Sequence, residues 1–149
     1  MSSFLSVDDA LKPYTVRKEV IKPGRDVYVV EASRIREVME VLKNSFSGNV
    51  YLATIAGVDR VKENVFELNY FVHIVSLGKT IVIRTSTPKT SPRVDTIIDI
   101  MPGAFSAEAE IYDLFGVEFV GNRYLRRGFF APLDVASQGT HPLRKDAQV

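Results

Sequence analysis

Two runs of β-forming residues, Val65 to Ser76 and Thr80 to Ser86, flank Leu77-Gly78-Lys79, and no other feature narrows the possible folds as much. Val, Ile, Phe and Tyr suit a pleated, half-buried surface, and a glycine in the connection supplies the positive φ that a tight hairpin demands. A sheet is therefore the framework. A further strand is expected at Asp26 to Glu31, entered from Pro23-Gly24. Another is expected at Asn49 to Gly57, where apolar residues nearly fill the run and predict burial on both faces.

Helical spacing appears between these strands. Ser33 is placed to cap a helix from Arg34 to about Phe46, with Ile35, Val38, Met39 and Leu42 forming one buried face and Gly48 ending it. Asp59 to Asn64 is charged and reads as a turn or loop. Ser91-Pro92 reads as a second helix start, followed by Val94, Ile97, Ile98 and Met101 and stopped by Pro102-Gly103. Ser106 is expected to cap a third, short helix that Gly116 stops. Val117 to Val120 adds a short strand, and from Gly121 onward neither period is sustained. Met1 to Tyr14 fits no single pattern. Together these elements predict an α+β domain over residues 1–120, two layers with a mixed or antiparallel sheet and helices on one face, followed by an extended C-terminal arm over residues 121–149.

The 149 residues suffice for one domain with a real core, and 46% hydrophobic with 25% charged residues is ordinary for a globular chain. Zero cysteines exclude disulfides, thiolate zinc sites and Cys-ligated iron–sulfur clusters in this chain. The run from Val50 to Val58 falls far short of the ~20 apolar residues of a spanning helix, and the first residues lack a signal pattern. A cytoplasmic chain that meets a membrane only through partners is the expectation. The net charge of +1 conceals blocks: residues 95–120 carry six acids and no base, while residues 121–149 carry five bases and two acids. Such blocks either match one another or steer a partner.

Candidate chemistry is sparse. Gly78-Lys79-Thr80 copies the end of a phosphate-binding loop, but His73 stands where the motif needs its first glycine, so the hairpin turn is the better reading. His73 and His141 are far apart in sequence and form no pair. Glu108, Glu110 and Asp113 could hold a hard cation or act as acid and base; acids early in a helix are more often partners of its dipole or exposed ion pairs. Arg126 and Arg127, flanked by Tyr124, Phe129 and Phe130, fit a protein interface, with RNA binding as a remote alternative.

The order of the last third resembles the 30 kDa, or C, subunit family of the NADH:quinone oxidoreductase of respiratory complex I and its relatives in membrane-bound [NiFe] hydrogenases. The matching positions are Glu108, Glu110, Asp113, Gly116 and Val117, then Leu125, Arg126 and Arg127, then His141, Pro142, Leu143, Arg144, Lys145 and Asp146. Weaker similarity runs through Ala56-Gly57-Val58-Asp59 and Phe66-Glu67-Leu68-Asn69-Tyr70. Ala109, Phe105 and the pair Asn122-Arg123 differ from the family pattern, which keeps an archaeal-type membrane-bound hydrogenase subunit as the alternative within it. The resemblance implies a two-layer fold and a non-catalytic subunit peripheral to the cytoplasmic face of the membrane. It implies a large hydrogenase-like (49 kDa-type) subunit and iron–sulfur subunits as partners, which would hold the clusters and the quinone or [NiFe] site. It also implies that the acids of the helix anchor arginines of the arm or of a neighbouring subunit.

Overall fold

The computed structural model describes residues 6–21 and 24–125. The hairpin is its centre. Strands β4 (Val65–Ile74) and β5 (Lys79–Pro88) pair antiparallel from Val65↔Pro88 to Ile74↔Lys79. A single 3₁₀ turn over Val75–Leu77 joins them, and Gly78 turns the chain at φ +56°. Strand β3 (Val50–Arg60) lies antiparallel to β4 on one side. On the other side, β2 (Arg25–Val30) runs parallel to β5 and carries β1 (Thr15–Ile21) antiparallel at the edge. The sheet is mixed, in the order β1-β2-β5-β4-β3.

The register assigns the two faces. Phe66, Leu68, Tyr70, Val72 and Ile74 of β4 align with Ile81 and Ile83 of β5, Tyr28 and Val30 of β2, and Val50, Leu52 and Ile55 of β3 in one buried cluster. Three helices supply its other half: α1 (Val7–Leu11), α2 (Ile35–Ser45) and α3 (Ala104–Phe115). Ile35, Val38, Met39 and Leu42 of α2 are fully buried, as their spacing requires. The opposite face carries a chain of polar contacts in which Arg84 meets Glu19 at 3.0 Å and Asn69 at 2.7 Å, while Arg60 reaches Glu67 at 3.1 Å. The α+β class, the mixed sheet and the helices on one face are as the sequence indicates.

Several local expectations fail for identifiable reasons. The strand at 50–60 is not buried on both faces: a bulge at Ala53 resets its alternation, so Leu52 and Ile55 point inward while Tyr51, Thr54 and Ala56 are exposed. It also runs on through Asp59, whose charge is met by Lys89 at 2.8 Å, into the stretch that reads as a loop. Ser33 sits in a 3₁₀ turn (Ala32–Arg34) and does not cap α2. No helix starts at Ser91-Pro92. There the chain forms β6 (Arg93–Asp95), parallel to β7 (Glu118–Val120), because tertiary partners claim its backbone: Thr87 Oγ1 accepts from the Arg93 amide at 3.0 Å, and the Thr96 amide donates to Val120 O at 2.9 Å. The residues of that stripe still reach the core, with Val94, Ile97 and Met101 buried.

Pro102-Gly103, expected to stop a helix, instead starts α3. Gly103 takes φ +92° beside the backbone of Leu52, where a Cβ would collide with the Leu52 carbonyl, and Ser106 is exposed within the first turn. The ambiguous N-terminal stretch contains α1, capped by Ser6, whose Oγ accepts from the Asp9 amide at 3.1 Å, and β1 follows it without a signal strong enough to have marked it.

Candidate functional site

The acidic helix does not present its acids as the sequence suggests. No acid falls in the first turn of α3, so the dipole reading fails; Glu108 and Asp113 are fully buried, and only Glu110 is half-exposed. Ala104, Ile111 and Phe115 share the buried face, and Gly116 ends the helix at φ +80°, as expected of a left-handed stop.

Glu108 is the centre of a small polar knot. Its Oε1 accepts from the Thr96 hydroxyl at 2.6 Å and from the Asn122 amide at 3.0 Å, and its Oε2 accepts from the Ile97 backbone amide at 2.8 Å. All three donors are neutral. Removal from water therefore dominates and pushes the Glu108 carboxyl above its ordinary range, with nearby Asp99 adding to the effect. The buried Tyr70 phenol is likewise pushed up, first by burial and then by the charge of Glu108. Among the described residues each hydrogen bond to Glu108 comes from a neutral donor, and the arm arginines that the resemblance pairs with the helix acids lie outside those residues.

Around this knot the surface is concave. A groove of about 710 Å³ runs between Arg36, Asp99, Ile98, Val120, Arg123 and Tyr124. Arg36 grips Asp99 through two bonds of 2.7 and 2.8 Å and also donates to Thr96 O at 2.6 Å, fixing one wall. The guanidinium holds the Asp99 carboxyl down at about 2. The other wall carries the Tyr124 ring, backed by Phe105 outside the groove. Phe105 and Tyr124 meet edge-to-face at 5.8 Å between ring centres, and the Arg123 guanidinium lies 5.5 Å from the Tyr124 ring. Tyr124 and Phe105 remain 54% and 44% exposed, so large aromatic area and an arginine face outward together.

Of the other residues singled out by sequence, His73 is a sheet residue whose Nδ1 contacts Thr80 Oγ1 at 3.0 Å beside the Tyr51 ring. Arg126, Arg127, His141, Pro142, Arg144, Lys145 and Asp146 lie outside the described residues. Thr96 and Asn122, which hold Glu108, carry no sequence signal for that role; they become visible only once β6, α3 and the turn after β7 are brought together.

The family model of the respiratory-chain NADH dehydrogenase 30 kDa subunit matches residues 28–149. The chain belongs to that family. It is 33% identical over 124 residues to the C subunit of the NADH-quinone oxidoreductase of Novosphingobium aromaticivorans, covering 83% of this chain and 38% of that one. To the corresponding chain of Erythrobacter litoralis it is 33% identical over 126 residues, covering 84% and 48%. It thus spans less than half the length of these curated relatives. Among solved structures, a chain of the membrane-bound sulfane sulfur reductase, an archaeal respiratory membrane complex, superposes with a TM-score of 0.80 at 32% identity, covering 96% of this chain and 84% of that one. A trypsin-resistant fragment of Nqo5 superposes with a TM-score of 0.69 at 27% identity, covering 84% of this chain and all of the fragment.

Proposed function

We propose that this chain is a non-catalytic subunit of the peripheral arm of a complex I-like membrane redox complex, and that it works by holding neighbouring subunits together. Membership of the 30 kDa family carries this reading. The outward-facing Arg123, Tyr124 and Phe105 support it, because arginines and large aromatics are the anchors that dominate protein interfaces. The partners are a large hydrogenase-like subunit and iron–sulfur subunits, which would carry the clusters and the quinone or [NiFe] site. A relative in Proteus mirabilis, 31% identical over 133 residues, is named as a combined C/D subunit, which supports a close neighbour fused in that chain. No described helix is long and apolar enough to cross a membrane, and contact with the cytoplasmic face would pass through partners.

The archaeal reductase favours a second reading, a subunit of an archaeal-type hydrogenase or related ion-translocating complex, since its chain matches this one over nearly its whole length. Deleting the chain in its native cell tests the proposal common to both. Assembled complex should fall in the membranes while the partner polypeptides are still synthesised. Normal amounts of an active, full-size complex in the deletion strain would end it.

A further inference from the structure

The point where the chain turns towards its C-terminal segment is held from several sides. β7 ends at Val120, whose carbonyl accepts from the Thr96 amide at 2.9 Å. Gly121 then takes φ +95° with Thr96 Cγ2 only 3.1 Å from where a Cβ would stand. The next residue, Asn122, is 8% exposed; its side-chain amide donates to Glu108 while its Oδ1 accepts from the Tyr124 amide at 3.0 Å. The same carboxylate takes the Ile97 amide and the Thr96 hydroxyl, and that hydroxyl accepts from the Ile98 amide at 3.2 Å. One buried carboxylate thus ties the strand before the groove, the helix beneath it and the corner beyond it.

We infer that Glu108 is a positioning residue: it fixes the path of residues 121–125, and with it the placement of Arg123 and Tyr124 at the rim of the groove. A carboxylate is required by the donor count. Oε1 and Oε2 together receive three hydrogens, and an amide in place of the carboxylate would turn a donor towards either the Asn122 amide or the Ile97 amide, whichever way it is flipped. Asn122 cannot relieve this by flipping without surrendering its bond to the Tyr124 amide. The inference rests on the assembly reading only for its consequence, since the corner itself is a property of this chain.

The chemistry predicts a rescue. In Glu108→Gln the donor–donor conflict should loosen the corner, and Asn122→Asp alone should set two carboxylates against each other. With both changes, the introduced glutamine can accept from the Ile97 amide and donate to the introduced aspartate, so the arrangement closes again. The chain has no cysteine, so Asn44→Cys on α2 and Arg123→Cys place two spin labels cleanly in the full-length protein. A narrow distance distribution is expected without the corner changes, a broad one in each single variant, and a narrow one in the swap. In parallel, the unlabelled variants are co-expressed with the subunits of the native complex, well below their melting temperatures. Each single change should recover about tenfold less partner, the factor one misplaced buried hydrogen bond carries, and the swap should restore it. Unchanged distributions in both single variants overturn the inference. Broadened distributions with undiminished assembly leave the positioning role standing and instead sink the reading of this rim as an interface.

Discussion

At the scale of single residues, Glu108 also sets a pH dependence. Its folded carboxyl is raised by burial, so the folded chain binds its proton more tightly than the unfolded chain does. The contribution to stability is full below the ordinary glutamate value of 4.5 and declines as pH rises through the raised folded value. The stability of the wild type relative to Glu108→Gln should therefore shrink between acid and neutral pH in paired denaturant titrations; an advantage that grows with pH would mean the three hydrogen bonds outweigh burial. Gly116 offers a cleaner case. At φ +80° a β-branched side chain is strained, and Gly116→Val should cost ~1–2 kcal/mol, read as a lower melting temperature. That glycine was legible in the sequence because a helix stop has a local signature. The burial of Glu108 was not, because its partners lie 11 to 14 residues away on separate elements.

At the scale of elements, legibility follows how local the determining forces are. The β4–β5 hairpin and the stripe of α2 depend on neighbours in sequence, and both stand where the pattern puts them. The segment after Ser91-Pro92 has helical spacing, yet Thr87, Glu108 and β7 claim its backbone, so that Arg93–Asp95 is a strand and a turn follows it. The bulge at Ala53 likewise belongs to the pairing of β3 with β4 rather than to β3 itself. One consequence concerns the far end of this sheet. Lys89, just past β5, holds Asp59 of β3 at 2.8 Å with side-chain exposures of 12% and 1%, and its ammonium lies 5.4 Å from the Phe66 ring. Lys89→Met removes the cation while keeping the stem and should destabilise the chain by about 3 kcal/mol, the scale of taking one member out of a buried ion pair. Chemical denaturation measures this, and a loss under ~1 kcal/mol would place the pair in effectively aqueous surroundings.

At the scale of the molecule, one face of the sheet is covered by helices, and the polar knot closes the end from which the C-terminal segment departs. The class of fold was readable from strand and helix periods. The groove was not, because it is assembled from α2, the stretch after β6 and the corner after β7, three places that share no pattern. The described residues carry the packed unit to Leu125, which rests against the core. We propose that this unit binds other subunits through its rim and the basic segment that follows. The direct measurement is quantitative co-purification from native membranes of full-length chain and of Arg126→Ala, Arg127→Ala, with circular dichroism confirming equal folding. The full-length chain is expected to bring down a large hydrogenase-like subunit and iron–sulfur subunits in fixed ratio, and the double change to lower their recovery. Recovery of the full-length chain alone, or with RNA in place of those subunits, would contradict it.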